Sequence, residues 1–428
     1  MPAFQRRAIA WPGLFVSFVA FLWAGQPATA IADVASTPLT LREVQRLALE
    51  EQPALWAEAA TIRALREQSV AAAQLPDPRL IAGVMQIPAT GDERLSLRDD
   101  NFAALSVGIA QEFPRAEKRR LQAAALEQQA TGAELELTDL ERQIERAAGW
   151  AWLDVAGAAS GARILEDLAR EAAHQRETAE IDLVAGSGSQ ADLLASTVDT
   201  ALTVDRARAL RQREEASRAV LARWIGPAAD RPVGLPLPEL PAPPALGQLL
   251  DALPQHPWLA TPATKETLAA TELRLADAAL KPDWRIEVRY DHRLEFADLM
   301  TVMVGVDLPF FAGNRQDRSS SAARARLSAA TGERDDRLRE ATSILTAAYR
   351  DWQAGTQRLA YYDEAVMPPA RGRVNAALSD YRAGRGSLAA FLDARRSLLE
   401  AGLLRLDLAV QVARDRLQIE YFAQESYR

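Results

Sequence analysis

The sequence predicts a mainly α protein with a small β part, built as two copies of a helix–β-hairpin–helix unit. Three observations predict it. The first is a repeat. One stretch reads Asp182-Leu183-Val184-Ala185-Gly186-Ser187-Gly188-Ser189-Gln190-Ala191-Asp192, and a later one reads Asp380-Tyr381-Arg382-Ala383-Gly384-Arg385-Gly386-Ser387-Leu388-Ala389-Ala390. Both carry Ala-Gly-x-Gly-Ser between long helical stretches, and a repeat at this distance is a duplicated half of a fold rather than a short solenoid unit. The second is a pair of alternating apolar runs, one per half, each approached through a Pro-Asp step. The third is composition: 6% of the 428 residues are aromatic while Ala, Leu, Arg and Glu dominate, the palette of long helices and coiled coils.

Residues 1–30 read as an export signal. Arg6 and Arg7 form a basic start, Ala8 to Gly25 is almost wholly apolar, and Ala28-Thr29-Ala30 is a small-x-small cleavage site. Removing the two arginines takes the formal charge from −8 to −10. No later stretch reaches the roughly 18 apolar residues of a spanning helix. A membrane-inserted mature chain therefore has only β-strands with which to cross.

The first repeat is assigned to residues 31–231. Its opening helix starts at Thr40, with Leu41, Val44, Leu47 and Ala48 at helical spacing and Glu43 completing a capping box. Its counterpart starts near Leu246, and Leu49-Glu50-Glu51-Gln52-Pro53 aligns with Leu253-Pro254-Gln255-His256-Pro257. The next helices stop at Leu75-Pro76-Asp77-Pro78 and Lys281-Pro282-Asp283-Trp284, where proline pushes the chain towards extended structure. The hairpins follow, at about 79–113 and 284–309, each of two strands about ten residues long. Arg285-Ile286-Glu287-Val288-Arg289-Tyr290 alternates charged and apolar; Val302, Val304, Val306 and Leu308 alternate with Thr301, Met303, Gly305 and Asp307; Leu105, Val107 and Ile109 alternate with Ser106, Gly108 and Ala110. Lipid on one side and water on the other demand this pattern, although a small soluble sheet with one wet face shares it. Four strands cannot close a barrel, for which about eight are needed. Strands that cross a membrane here must be shared among several chains.

From Arg115 to Gly226 there is no proline. Only the tip turn at 186–189 breaks this run, leaving an outward helix of roughly 70 residues, about 100 Å long, and a returning one of roughly 37. Pro232 to Pro244 is the linker (232–244) between the halves. In the second repeat, 245–428, the outward helix runs from Arg315 to the turn at 384–387, with Met367-Pro368-Pro369 interrupting it. Its returning helix places Leu399, Leu403, Leu406, Val410, Ala413 and Leu417 in a coiled-coil seam.

Several function classes are excluded. The chain has no cysteine, so disulfides, thiolate metal sites and thiol catalysis are absent. Its charge is negative and no basic run appears in the mature part, which gives nucleic acid no footprint. Gly-Ser-Gly-Ser at 186–189 lacks the lysine and preceding strand of a phosphate loop. No catalytic constellation stands out, and the chain reads as neither an enzyme nor a cofactor protein. His174, His256 and His292 show no ligand spacing, and strand packing accounts for Met300 and Met303 better than copper does. No metal site is predicted.

The order of elements, the paired Ala-Gly-x-Gly-Ser turns and the strand exits Val107-Gly108-Ile109-Ala110-Gln111-Glu112-Phe113-Pro114 and Val304-Gly305-Val306-Asp307-Leu308-Pro309-Phe310-Phe311-Ala312-Gly313-Asn314-Arg315 resemble the outer-membrane efflux protein family, the TolC-like exit ducts. The resemblance covers nearly all of residues 38–424. It implies a homotrimer whose protomers each give four strands to a shared twelve-stranded transmembrane barrel, above a coiled-coil tunnel crossing the periplasm. It implies outer-membrane lipid, a periplasmic adaptor (membrane fusion) protein and an inner-membrane pump of the RND type as partners. The tips Gly186, Ser187, Gly188, Ser189 and Gly384, Arg385, Gly386, Ser387 would meet the adaptor. Asp192 and Asp393 match the family's acidic positions past each tip, where three-fold symmetry would make rings of carboxylate that favour cations. Helix capping accounts for an Asp at such a place equally well. The position matching Asp192 in the second half is Ala390, so the two rings are not equivalent. Arg382 and Arg385 are the candidate gate charges. Gln111-Glu112-Phe113-Pro114 followed by Lys118-Arg119, and Pro76-Asp77-Pro78-Arg79-Leu80 followed by Ile87-Pro88, resemble the heavy-metal branch (cobalt-zinc-cadmium or copper-silver). The expected function is a passive exit duct. Its rivals are a soluble periplasmic coiled-coil adaptor or scaffold, and a duct for drug efflux or type I protein secretion.

Overall fold

Nine α-helices and four strands run through the residues that the computed structural model describes, 37–423 apart from 51 and 187. The export-signal segment 1–30 lies outside them. The first half comprises α1 (Leu41–Glu50), α2 (Pro53–Ala72), β1 (Arg79–Met85), β2 (Ala104–Phe113), α3 (Ala116–Val184) and α4 (Gln190–Ile225). The second comprises α5 (Leu246–Ala252), α6 (Pro257–Ala278), β3 (Trp284–His292), β4 (Leu299–Val306), α7 (Gln316–Tyr361), α8 (Met367–Arg382) and α9 (Leu388–Phe422). None of these helices is long and apolar enough to cross a membrane.

The two hairpins join into one antiparallel sheet, order β1-β2-β3-β4. Only β2 reaches the expected ten residues; the others have seven, nine and eight. They are shorter because β1 ends at Met85, where the next residue, Gln86, takes a φ of 55° that turns the chain out of the sheet, and because β4 stops before the Pro309 turn, which has no N–H to donate. The sheet's outer edges, β1 and β4, have no partner strand among the described residues.

α3 is the spine, packing against α1, α2, α4, α6 and α9. Three of its glycines meet large side chains from far along the chain. A Cβ on Gly149 would lie 2.8 Å from Leu417, one on Gly157 2.9 Å from Val410, and one on Gly161 2.7 Å from Leu210. The seam predicted on α9 therefore sits in hollows made by missing side chains. Gly355 of α7 receives Val412 in the same way, at 2.7 Å. α9 is thus gripped on two sides.

At mid-height the protein does have a conventional core, which the low aromatic content did not suggest. Leu39, Val44, Trp152, Leu153, Leu221 and Ile225 form one fully apolar cluster. The Trp152 indole donates to the Leu39 carbonyl at 3.0 Å. The Pro-rich linker does more than connect. Leu39 pairs with Val233, while Leu235, Leu237 and Leu240 cover this cluster, so the linker closes the core. Thr40 caps α1 by accepting from the Glu43 N–H at 3.3 Å. The Glu43 carboxylate, however, goes to Arg231 at 2.8 Å, where a nearly buried guanidinium offers more than a backbone N–H does.

Ties from a helix start to the end of a returning helix repeat between halves. The Gln52 amide donates to the Trp224 carbonyl at the end of α4, 3.0 Å away. His256 Nε2 meets the Tyr421 carbonyl at the end of α9, at 2.8 Å. Its Nδ1 accepts from the Trp258 N–H at 3.2 Å, which fixes the neutral tautomer with the proton on Nε2. Burial drives the imidazole pKa down to about 4. Nearby, the Tyr421 hydroxyl donates to Asp139 at 2.6 Å, and Arg146 stacks on the Tyr421 ring at 4.3 Å.

Met367-Pro368-Pro369 does not end the outward path. The helix passes through one π turn, Tyr362–Val366, and continues as α8. Proline would remove an i→i−4 bond and press its ring on the preceding turn; widening that turn relieves both. Arg405 of α9 binds both carboxylate oxygens of Asp363 there, holding the distorted turn in place.

Candidate functional site

The sheet has two unlike faces. Across one run the rows Leu80, Ile109, Val288, Val302 and Val84, Leu105, His292, with Val107, Tyr290 and Met300 between them. The apolar members of this face are exposed, Leu80 at 73% and Met300 at 70%. Across the other run Arg79, Ala110, Glu287, Met303 and Ile81, Gly108, Arg289, Thr301 and Gly83, Ser106, Asp291, Leu299. The small residues of β2 lie beneath the charged side chains of β3, which is why Ala104, Ser106, Gly108 and Ala110 alternate buried with exposed neighbours. At Gly108 a Cβ would come within 2.9 Å of the Val288 carbonyl oxygen. The charges balance. Arg79 is 3.4 Å from Glu112 and Arg289 is 3.7 Å from Glu287, while Thr301 donates to Asp291 at 3.4 Å. Met303 lies on this charged face and Met300 on the apolar one, so the two sulfurs point away from a common site.

The junction below the sheet is clamped by backbone-directed cations. The Lys118 ammonium reaches Asp283 at 2.7 Å and the Lys281 carbonyl at 2.8 Å. The Arg115 N–H donates to Asp283 at 3.0 Å, and Arg115 Nε to the Pro282 carbonyl at 2.9 Å. Arg119 donates to the Ala73 carbonyl at 2.8 Å. In the first half Gln111 donates to the Pro76 carbonyl at 2.7 Å. Gln111, Lys118 and Arg119 therefore hold the two Pro-Asp steps in place.

At the opposite end the helices turn. In the first tip Gly186 takes φ 75°, the left-handed conformation that ends a helix without a Cβ penalty, and the Gly188 N–H donates to the Asp182 carbonyl at 2.9 Å. In the second, Gly384 takes φ 66° and the Gly386 N–H donates to the Asp380 carbonyl at 3.0 Å. A Cβ on Gly188 or Gly386 would approach Asp182 or Asp380 to 3.0 and 3.1 Å. Ser189 and Ser387 cap the returning helices, accepting from the N–H groups of Asp192 and Ala390. Ser187 lies outside the described residues.

The predicted acidic residues occupy distinct settings. The Asp192 carboxylate accepts from the Ser189 hydroxyl at 2.7 Å, while the Asp192 N–H donates to the same hydroxyl oxygen at 3.1 Å. Asp393 sits one turn further into its helix, exposed, 3.3 Å from Arg396. Arg385 lies 3.4 Å from Asp380 within its own turn, and Arg382 is exposed. The contacts that join the two tips are others. The Tyr381 hydroxyl donates to Asp182 at 3.4 Å, and both burial and that carboxylate push the hydroxyl pKa up. Buried Arg395 of α9 donates to the Leu168 carbonyl of α3 and lies 3.9 Å from Asp199 of α4. Ala179, Leu388, Phe391 and Leu392 form the small core between tips. Sequence reasoning missed Arg395, yet stepping back from Leu399 by four and then three residues lands on Arg395 and Leu392, in the apolar seam. Among the described residues no group of three or more His, Asp or Glu side chains is arranged to hold a metal ion.

This arrangement is a thin two-faced sheet on long, latched helical hairpins. The chain matches the outer-membrane channel OprN with a TM-score of 0.74, covering 89% of each chain at 19% identity. The chain has the fold of an outer-membrane channel. The Campylobacter jejuni CmeC outer membrane channel is similar too, with a TM-score of 0.76, 95% of this chain and 93% of that one covered, at 12% identity. So is the outer membrane protein VceC of Vibrio cholerae, with a TM-score of 0.75, coverage of 89% and 95%, at 18% identity. No protein-family profile matches the chain, and no curated protein matches it.

Proposed function

We propose that the protein is the outer-membrane component of a tripartite efflux system, a passive exit duct that spans the outer membrane and extends into the periplasm. One observation carries this reading: an apolar, exposed face and a charge-balanced face on a sheet whose edges β1 and β4 are both open. Three copies joined edge to edge would close twelve strands, with Leu80, Val107, Val288 and Val302 towards lipid and Arg79, Glu112, Glu287 and Arg289 towards water. A soluble adaptor or scaffold has no use for the apolar face. The helical tips would meet a periplasmic adaptor bound to an inner-membrane pump of the RND type. Energy comes from the pump, and the duct needs no cofactor.

In this reading the closed tip is held by Tyr381–Asp182 and by Arg395, with Arg382 and Arg385 available to a docking partner. Asp192 and Asp393 form unequal carboxylate rings at the mouth. The proposed substrates are heavy-metal cations, on the strength of the strand-exit residues. The clamping roles of Gln111, Lys118 and Arg119 make that pattern structural as well, so it is the part a test addresses first. A deletion strain is challenged with cobalt, zinc, cadmium, copper and silver beside hydrophobic drugs and detergents. Metal sensitivity reversed by the wild-type gene supports the cation duct. Drug sensitivity keeps the duct and discards the metal substrate. Release of the protein from membranes by salt or carbonate overturns the duct itself.

A further inference from the structure

The least covered large side chains on the membrane half of the molecule are adjacent. Phe310 and Phe311 are 80% and 81% exposed, in the turn between β4 and α7. They follow directly on the apolar face. Val302, Val304 and Val306 lie on it in β4, Leu308 continues it at 58% exposure, and on the neighbouring strands Phe113 pairs with Trp284 at the same end of the sheet.

That face needs extending. The nine residues of β3 run about 27 Å along the strand. At a tilt of about 40° this leaves about 21 Å, short of the roughly 25 Å apolar band of such barrels. Phe310 and Phe311 follow β4 at the end where the band falls short, and both are exposed.

Immediately beyond them stand Arg315 and Arg318. Among the described residues neither side chain has an ion-pair or hydrogen-bond partner, although the nearby Lys118, Lys281 and Arg115 are all engaged. Arg315 is the N-cap of α7 and Arg318 lies in its first turn, three residues on. Cations here work against the helix dipole, so they contribute nothing to α7 itself. An aromatic pair beside two free guanidiniums, at the lower margin of a lipid-facing surface, is complementary to an acyl chain below a phosphate. Guanidinium matches phosphate bidentately.

We propose that Phe310, Phe311, Arg315 and Arg318 form a collar that binds an anionic phospholipid of the periplasmic leaflet. The rings pack among its acyl chains and the two arginines bind its phosphate. This rests on the outer-membrane barrel reading, and the experiment keeps the two separable.

The full-length assembled protein is reconstituted into vesicles of phosphatidylcholine with or without phosphatidylglycerol, and retained lipid is counted by native mass spectrometry after extraction. The wild type retains phosphatidylglycerol in preference to phosphatidylcholine. Arg315→Gln with Arg318→Gln lowers that preference by up to about thirtyfold, at roughly fivefold per basic residue near a charged surface, and leaves insertion intact. Arg315→Lys with Arg318→Lys, which preserves charge, keeps most of it. A wild type that inserts without preference, or a Gln pair that keeps it, overturns the collar and leaves the barrel standing. Separation of the subunits by Phe310→Ala with Phe311→Ala, with lipid retention unchanged, also overturns it, since the rings would then be a subunit contact. Failure of the wild type to insert overturns the barrel and the collar together.

Discussion

The two halves place the same elements in the same order, yet equivalent positions do different jobs. Contacts to backbone carbonyls repeat faithfully. Asp182 and Asp380 bracket their tips through carbonyls, and Gln52 and His256 both tie a helix start to the last turn of the returning helix. Contacts made through side chains diverge. The first outward helix is unbroken over 69 residues, while the second passes through a π turn pinned by Arg405. Asp192 is matched by Ala390, and a neutral amide at 52 is matched by a titratable ring at 256. Duplication conserved the frame, and the differences concentrate where the frame can respond to acid or to a partner.

The largest effect should come from the shared core. Trp152→Ala removes a fully buried indole and its bond to Leu39, a loss of about 3–5 kcal/mol. Because α3 packs on α9 as well as on α4, both halves should melt together in circular dichroism. Two separated transitions would break the view that α3 unites them.

Next comes the tie made by His256. His256 is held neutral with a folded pKa of about 4, below its ordinary 6.5. The unfolded chain therefore binds the extra proton first, so this stability is complete above pH 6.5 and is lost as pH falls towards 4. The loss is on the order of 3 kcal/mol per chain. Arg142, Arg146 and Asp139 face the ring; the two arginines add to the effect and Asp139 opposes it. His256→Gln copies Gln52, and should keep neutral-pH stability within about 1 kcal/mol while flattening the acid slope in denaturant titrations. An unchanged slope would move the pH response elsewhere.

The tips come third. Tyr381→Phe removes a hydrogen bond to a carboxylate, worth about 1–2 kcal/mol. Leak conductance in planar bilayers should rise about five- to thirtyfold. Arg385→Ala and Asp393→Ala touch pairs confined to one tip and should raise it less. A larger leak from Arg385→Ala than from Tyr381→Phe would return the gate to the arginines. The smallest effect concerns Asp192. Asp192→Ala should shift the zero-current potential in a salt gradient towards lower cation preference, whereas loss of a cap alone would cost about 1 kcal/mol of local helix stability and leave that potential unmoved.

Local chemistry fixed much of this in advance. Alternation placed the strands, proline and glycine placed their ends and the tips, and three- and four-residue spacing placed the α9 seam, because each signal acts within a few residues of itself. Other features need a distant partner to have meaning. Gly149, Gly157 and Gly161 are unremarkable small residues until Leu417, Val410 and Leu210 fill their hollows. The proline-rich linker looks like a spacer until Leu39 pairs with Val233. Arg395 looks like one more surface arginine until Leu168 and Asp199 surround it, and Tyr381 gains its role from Asp182, in the other half of the chain. The sequence by itself determined which segments are helix, strand and turn. Only the tertiary structure decided which side chains bridge the halves, since contacts across such separations are set by packing and leave no local period to read.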